Sequence, residues 1–323
     1  MLRRIMSRTT LIVGAVCALV VVAPAAANAA YYNTYTTVAA LGNAEGCTAD
    51  EGFAVGSTYT YSVKINSAES KAIIYRTTMS DGTVTLMSNG DTGTDYATYL
   101  GHANDVALMS NGGDYYMYVV TMNAGSTSLV KLQYIGTTYY KVGSYTITSG
   151  GTDVAMSGVK IVKKDSSYAY FLFKSGTSFY RGELGLTATS GSIPLSAAFT
   201  VDVANAKVNG STVSNIDSYL TQGIGYYDGT LYFVVTLDNV SIVLVYDNIL
   251  DIYNNSSSEL SAPVIEADGN LSFRITSSAY PYKFEIEGVG FASGVMWFSA
   301  NRQTDSSDLS HDGVFYFNDY VAS

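Results

Sequence analysis

The pentapeptide GHAND, at positions 101–105, groups three side chains that could carry out chemistry. It holds His102, one of two histidines in the chain, together with the amide of Asn104 and the carboxylate of Asp105. Imidazole and carboxyl groups are common proton-transfer groups in enzymes. The same three groups also suit a turn that satisfies backbone polar atoms at the start of a strand. The choice depends on what repeats along the chain.

Similar polar starts recur, each followed by small residues and then by an aromatic-rich strand. Glu51-Gly52-Phe53-Ala54 precedes STYTYSVKI, Gln222-Gly223-Ile224-Gly225 precedes GTLYFVVTL, and Glu287-Gly288-Val289-Gly290 precedes GVMWFSANR. Degenerate copies begin at Asn104 and Ser157. The starts at 51, 104, 157, 222 and 287 are separated by 53, 53, 65 and 65 residues. Repeats of roughly 40–50 residues with four strands each are typical of propeller blades.

Strand-forming residues dominate the segments between these starts. Residues 128–147, 167–186 and 229–249 alternate apolar and polar positions around a short break, which predicts β-hairpins. We therefore predict an all-β fold, a single five-bladed β-propeller formed by residues 30–323. The stretch YYNTYTTVAAL (31–41) is expected to pair into the short last repeat, which closes the ring without an exposed sheet edge. A pair of β-sandwiches would explain the strands but not the regular recurrence.

The repeat starts are expected to form a polar ring at one mouth of the propeller, because the innermost strand of each blade runs along the central channel. The ligand-binding candidates at this mouth and its loops are His102, Asn104, Asp105, Gln222 and Glu287, together with Tyr226 and Tyr227, which are predicted to be loop residues. If the protein is an enzyme, Glu51, Asp105 and Glu287 are its candidate catalytic residues, since carboxyl groups about 5–10 Å apart suit glycoside hydrolysis. The alternative is that these groups only satisfy strand ends and buried water, so no catalytic set is assigned.

Other chemistries lack their characteristic residues. After residue 29 the chain has two histidines and the single thiol of Cys47, which are too few for a zinc site, and the loop TDSSDLSHDG (304–313) lacks the spacing of an EF-hand calcium loop. The sequence contains no GxSxG, GxGxxG or P-loop motif, which argues against a serine-hydrolase elbow and against nucleotide cofactors. We therefore expect neither a metal nor a cofactor.

Residues 1–29 have the pattern of a secretory signal peptide. Arg3, Arg4 and Arg8 precede the apolar run LIVGAVCALVVV and the small residues APAAANAA, with cleavage expected before Ala30. The remaining chain has 14 basic and 27 acidic residues, a charge near −13 that opposes nucleic-acid binding. Cys47 then has no partner for an internal disulfide. We expect a secreted monomer with no transmembrane segment once the leader is removed.

Several segments resemble the repeat signatures of helveticin J-like proteins, which are bacterial proteins named for a large heat-labile bacteriocin. The segments are GHANDVALMSNGGDYYMYVVTM, TQGIGYYDGTLYFVVT, FEIEGVGFASGVMWFSANR and GVFYFN, within residues 50–318. The matching elements are His102-Ala103-Asn104, Gln222-Gly223 and Glu285-Ile286-Glu287. The resemblance implies a secreted five-bladed propeller that binds or acts on a cell surface. It carries over no catalytic residues.

The leading hypothesis is a non-enzymatic propeller that binds a cell-envelope glycan or surface protein, with antibacterial action as the resemblance implies. A secreted glycoside hydrolase and an envelope adhesin or scaffold are the alternatives. Converging carboxyl groups with a raised pKa would favour the hydrolase. Exposed aromatic faces beside Asn and Asp would favour a lectin, and a broad apolar patch would favour an adhesin.

Overall fold

Strands dominate the part of the chain that the structure describes. The computed structural model describes residues 34–122, 128–208, 210–255, 263–269 and 271–321, and the leader predicted at 1–29 lies outside them. In these residues the only α-helix is α1 (Ile249–Asn255), and a single 3-10 turn spans Ile216–Ser218. The prediction of a nearly all-β chain is confirmed, although the sequence did not predict α1. No helix in the described ranges has the length and apolarity needed to cross a membrane.

The strands of the described ranges follow one another with short connections. They are β1 Tyr35–Ala40, β2 Ala49–Val55, β3 Tyr59–Ile65, β4 Ala72–Thr78, β5 Val84–Leu86, β6 Ser88–Asn89, β7 Asp105–Asn111, β8 Asp114–Val120, β9 Ser128–Ile135, β10 Thr138–Ser149, β11 Thr152–Asp153, β12 Gly158–Lys164, β13 Tyr168–Ser175, β14 Ser178–Gly185, β15 Ser190–Asp202, β16 Lys207–Val208, β17 Ser211–Thr212, β18 Leu220–Tyr227, β19 Thr230–Leu237, β20 Val240–Tyr246, β21 Val264–Glu266, β22 Phe273–Thr276, β23 Lys283–Ala292, β24 Val295–Gln303 and β25 Gly313–Val321. All three predicted hairpins are confirmed, as β9–β10, β13–β14 and β19–β20.

Most of these strands belong to five antiparallel meanders of four strands each, which we number sheets 1 to 5. Sheet 1 is β2–β5, sheet 2 is β7–β10, sheet 3 is β12–β15, and sheet 4 contains β18, β19, β20 and β22. Sheet 5 contains β23, β24 and β25, with β1 added at its outer edge. Tyr35 of β1 lies opposite Phe317 of β25. The N-terminal strand therefore completes the last sheet, as the sequence predicts, and so covers an edge that would otherwise stay unpaired.

The first strand of each sheet contacts the first strands of the two neighbouring sheets. The contacts run in a cycle from β2 to β7, β12, β18, β23 and back to β2. This close approach requires glycine: a Cβ on Gly52 would lie 2.5 Å from the carbonyl oxygen of Ala103, and one on Gly223 would lie 2.5 Å from that of Glu287. The glycines that follow the polar starts thus allow the five strands to surround one axis.

Apolar side chains fill each of the five spaces between adjacent sheets. One cluster packs Val63 of sheet 1 against Val119 of sheet 2, and another packs Phe179 of sheet 3 against Phe233 of sheet 4. Between sheets 5 and 1, the free thiol of Cys47 is buried beside Trp297. Burial of apolar area at about 25 cal/mol per Å² stabilises such sheets without disulfide bonds.

Sheets 2 and 3 are also joined at their outer edges. Strands β10 and β15 pair in parallel from Ser144 opposite Ser190 to Ser149 opposite Leu195. The sequence repeats did not predict this pairing, since it links strands of two different repeats. It leaves neither outer strand with a free edge along these residues.

Candidate functional site

The polar repeat starts lie at or near the beginning of the first strands, and they contact one another across the sheets. The amide of Asn104, just before β7, donates to the carbonyl oxygen of Ser157, just before β12, at 2.5 Å. The amide of Gln222 in β18 donates to Oε1 of Glu285 in β23 at 2.7 Å. We call this end of the ring the acidic mouth. It comprises Glu51, His102, Gln222, Lys283, Glu285 and Glu287.

Three polar starts of the ring occupy β-bulges. The antiparallel pairing of β2 with β3 shifts register at Glu51, that of β18 with β19 shifts at Gln222 and Gly223, and that of β23 with β24 shifts at Glu287. A bulge adds an unpaired residue to one strand and re-aims its side chain. This is the local reason why two glutamates from sheets 1 and 5 are brought to the same end of the ring.

GHAND forms the tight turn that presents His102. Gly101 and Ala103 have positive φ angles of 58° and 52°, and the N–H of His102 donates to the carbonyl oxygen of Thr121 at 2.9 Å. An alanine in the left-handed region is strained, so the turn is held by its surroundings.

The ring of His102 lies between two carboxylates. Its Nε2 is 3.1 Å from Oε2 of Glu51, and its Nδ1 is 3.0 Å from Oε1 of Glu69. The hydrogen bond to Glu51, and to a smaller extent that to Glu69, raises the pKa of His102 to about 9. The imidazole is therefore cationic at neutral pH.

Each of the two partly accessible glutamates of the mouth has a cationic partner. Burial raises the pKa of Glu51, and the hydrogen bond to His102 opposes this shift. Glu285 forms an ion pair with Lys283 and accepts the hydrogen bond from Gln222. His102 thus orients the carboxylate of Glu51, and Lys283 and Gln222 orient that of Glu285 from two sides.

Glu287 lies deeper and has no cationic partner. Its carboxyl group is only 3% exposed, and Oε1 accepts a hydrogen bond of 2.6 Å from the amide of Asn301. Burial raises the pKa of Glu287 well above its usual range, and the negative charges of Glu285 and Glu51 raise it further. The mouth thus combines a buried carboxyl group whose pKa is raised with two carboxylates that are paired with cations.

Asp105 does not belong to the acidic mouth, contrary to the prediction. Its carboxylate is completely buried and accepts the backbone N–H groups of Val106 at 2.9 Å and Val159 at 3.0 Å. It also forms an ion pair with Lys160, whose amine donates to the carbonyl oxygen of Val106 at 2.7 Å. The physical reason for the difference is this internal pairing, which leaves the carboxylate no free lone pair for a ligand.

A second buried lysine lies beside Asp105 on the axis. Lys174 of β13 is fully buried and donates to the carbonyl oxygen of Gln222. Burial lowers the pKa of Lys174 to about 8. Asp105, Lys160 and Lys174 form what we call the axial cluster, and it fills the centre of the ring behind the acidic mouth.

Tyr226 and Tyr227 lie at the other end of β18 and are strand residues, whereas the prediction placed them in a loop at the mouth. Four or five residues beyond Gln222 correspond to about 13–17 Å along a strand. Both tyrosines line a small cavity of about 140 Å³ that also contacts Lys160 from the far side. Tyr227 stacks on Phe291 with ring centroids 4.8 Å apart. Their strand position explains the difference, so they are packing residues away from the acidic mouth.

Several residues of the site were not singled out as site candidates from the sequence: Glu69, Lys160, Lys174, Lys283, Glu285 and Asn301. Glu285 could have been found, because it lies two residues before Glu287 on the same strand and alternate residues share a face. No local pattern links Glu69 to His102, which lie 33 residues apart.

No metal site is formed by the side chains that the structure describes. They include no group of three or more His, Cys, Asp or Glu residues arranged to hold an ion. In the loop 304–313 the carboxylate of Asp308 is occupied by its own neighbours: it lies 2.7 Å from Nδ1 of His311 and accepts the N–H of Thr304 at 2.8 Å.

Comparison with known proteins gives similarities of shape only. No family model matches the chain, and no curated protein matches its sequence. A GH43_1 enzyme from Xanthomonas citri matches with a TM-score of 0.48 and 7% identity over 88% of this chain and 90% of that one. The catalytic domain of a GH62 α-L-arabinofuranosidase from Coprinopsis cinerea matches with 0.47 and 7% over 91% and 99%. A glutaminyl cyclase from Myxococcus xanthus matches with 0.45 and 10% over 90% and 97%. Such likenesses assign no family and no activity to the chain.

Proposed function

We propose that sheets 1 to 5 are the blades of a five-bladed propeller and that its acidic mouth hydrolyses a glycosidic bond. The observation that carries the proposal is the contrast between Glu287, which is buried without an ion-pair partner among the described residues, and Glu51, whose carboxylate lies 3.1 Å from the imidazole of His102. Glycoside hydrolysis needs one protonated and one ionised carboxyl group. The environments of the two groups must therefore give them different pKa values.

In this mechanism Glu287 is the general acid. Its proton passes to the glycosidic oxygen as the bond between that oxygen and the anomeric carbon breaks. Glu51 takes a proton from the water that attacks the anomeric carbon, so each half of the substrate leaves with a hydroxyl group. Glu285, held by Lys283 and Gln222, is a positioning residue whose negative charge favours the protonated form of Glu287.

The test is release of new reducing ends from a panel of oligosaccharides and envelope polysaccharides by the full chain. We expect Glu287→Gln to lower kcat by at least about a hundredfold, since general acid catalysis contributes roughly that much. Glu69→Gln is the matched control: it removes the more exposed partner of His102 and leaves the acid–base pair in place. Unchanged product release by a folded Glu287→Gln variant would overturn the proposal.

Binding of a cell-envelope glycan without hydrolysis is the second candidate, and the helveticin J resemblance implies it. Two observations favour this candidate: Asp105 is paired inside the protein, and Glu287 is buried. Of the three acids that the sequence suggested, only Glu51 is then partly exposed. Binding with no product from wild type, and loss of binding in Glu51→Gln, would favour this function over the hydrolase.

A further inference from the structure

A groove of about 690 Å³ lies between sheets 1 and 2 at the end of the ring opposite the acidic mouth. It is formed by the turns that connect β2 to β3, β7 to β8 and β9 to β10, and no residue of the acidic mouth lines it. Its volume falls within the range of pockets that hold small organic ligands. We call it the far-face groove.

One wall of the far-face groove is a row of three tyrosines. The ring centroids of Tyr115 and Tyr134 are 5.7 Å apart, and those of Tyr134 and Tyr61 are 5.1 Å apart. Tyr115 is the outermost ring of the row and is 53% exposed. Aromatic faces carry partial negative charge and attract the weakly positive C–H groups of a sugar ring. Tyr61 is buried and supports the row from behind, so the stacking surface open to a ligand is Tyr115 with the half-buried Tyr134 beside it.

The polar groups of the far-face groove supply a fixed donor and an acceptor. The guanidinium of Arg76 lies 4.3 Å from the centroid of Tyr59, and its Nη1 donates to the carbonyl oxygen of Gly136 at 2.8 Å. Its Nε is buried and has no hydrogen-bond partner among the residues that the structure describes. An unpaired buried donor is costly unless a ligand or water satisfies it. The carboxylate of Asp114 lies in the same groove as an exposed acceptor.

These features select one class of ligand. Sugar hydroxyl groups donate and accept hydrogen bonds, so they suit an arginine and an aspartate placed beside aromatic faces. An anionic polymer is disfavoured by Asp114 and by the net charge of −10. We infer that the far-face groove binds a neutral oligosaccharide, with one sugar ring stacked on Tyr115. This binding does not depend on hydrolysis at the acidic mouth.

The test measures binding of cellohexaose, xylohexaose, mannohexaose and chitohexaose by calorimetry. The protein carries Glu287→Gln, so that the probes stay intact if the mouth is catalytic. We expect at least one probe to bind, and we expect Tyr115→Ala to weaken that binding by roughly tenfold or more. Tyr115→Phe keeps the stacking face and should bind within about twofold of its parent.

Tyr168→Ala is the matched control, because Tyr168 lies near the start of the second strand of sheet 3, as Tyr115 does in sheet 2, and is 42% exposed. It should leave binding unchanged. Arg76→Gln provides a second test of the same groove and should also weaken binding.

Two results would overturn the inference. One is no binding of any of the four probes. The other is binding that neither Tyr115→Ala nor Arg76→Gln alters, which would place the ligand elsewhere, for example at the acidic mouth. Neither result bears on the hydrolase proposal, because that proposal is tested by product release from the wild-type protein.

Discussion

The carboxylate of Asp105 in sheet 2 accepts the backbone N–H of Val159 in sheet 3 at 3.0 Å, across 54 positions of the chain. The N–H of Ile224 in sheet 4 lies 3.4 Å from the same carboxylate oxygen. One side chain therefore contacts the first strands of three sheets. Asp105, with Lys160 as its counter-ion, therefore links these strands at the centre of the ring and has no group left for a ligand.

We expect Asp105→Asn to lower the free energy of unfolding by about 3–5 kcal/mol, the usual cost of breaking a buried ion pair. The substitution leaves Lys160 without its counter-ion and turns an acceptor-only group into one that also donates. Urea denaturation at pH 7 measures the change. Asp114→Asn is the control, since this carboxylate is exposed, and it should shift stability by less than about 0.5 kcal/mol. Equal midpoints for the two variants would contradict the role assigned to Asp105.

Glu287→Gln is expected to stabilise the protein at alkaline pH. The folded-state pKa of Glu287 is raised, so the neutral form contributes stability that is fully present below the ordinary pKa near 4.5 and is lost as pH rises through the folded-state value. Glutamine stays neutral throughout. At pH 8 the variant should therefore be more stable than wild type.

Thermal unfolding at pH 4 and pH 8 tests this prediction. The difference between Glu287→Gln and wild type should be small at pH 4 and positive at pH 8. Glu69→Gln serves as the comparison, because its carboxylate is far more exposed than that of Glu287. A variant that is less stable than wild type at pH 8 would contradict a raised folded-state pKa of Glu287.

His102 is expected to titrate with a midpoint near pH 9, far above its ordinary value of 6.5, because of Glu51 and Glu69. The sign follows from the raised pKa: this group stabilises the fold fully below about pH 6.5, and the contribution disappears as pH rises through about 9. Glu51→Gln removes the larger cause and should move the midpoint toward 6.5. Imidazole proton resonances followed by NMR give both midpoints.

Asp308→Asn provides the matched control for the titration. It removes the carboxylate that lies 2.7 Å from the other histidine, His311, and does not contact His102. The His102 midpoint should stay unchanged in this variant. A wild-type midpoint near 6.5 would mean that the imidazole is not paired with Glu51 in solution.

The sequence allowed the first strands to be predicted because their polar starts repeat. A strand that contains a Glu-Gly or Gln-Gly pair favours a bulge and a close approach of backbones, which is where Glu51 and Glu287 are found. Asp105 and Lys160 lie 55 positions apart, close to the repeat length of 53 residues. Both residues therefore lie near the starts of neighbouring first strands, where their side chains can pair. That pairing was missed because the repeats were used to align strands and not side chains.

The rest of the site depends on contacts that no local pattern shows. Glu69 reaches His102 from a turn after β3, and Asn301 reaches Glu287 from the neighbouring strand. Tyr226 and Tyr227 were predicted to be loop residues that could contact a ligand, and they follow Gln222 closely in the chain. Extended strands separate such neighbours, because each residue adds about 3.3 Å along the axis. The structure therefore places this tyrosine pair at the end of the ring opposite Gln222.

Gly223→Ala should destabilise the ring by about 1–3 kcal/mol, the usual cost of inserting a methyl group into a packed interior. The added Cβ would lie 2.5 Å from the carbonyl oxygen of Glu287 and 3.4 Å from Oδ1 of Asp105, so β18 and β23 must separate. Urea denaturation measures the loss, and the separation of the strands should also lower any activity of the acidic mouth. Gly185→Ala is the control, because its nearest neighbour is the Cβ of Ala188 at 3.9 Å, an ordinary contact. If both alanine variants unfold at the same urea concentration, the first strands are not packed around the axis as closely as the glycines indicate.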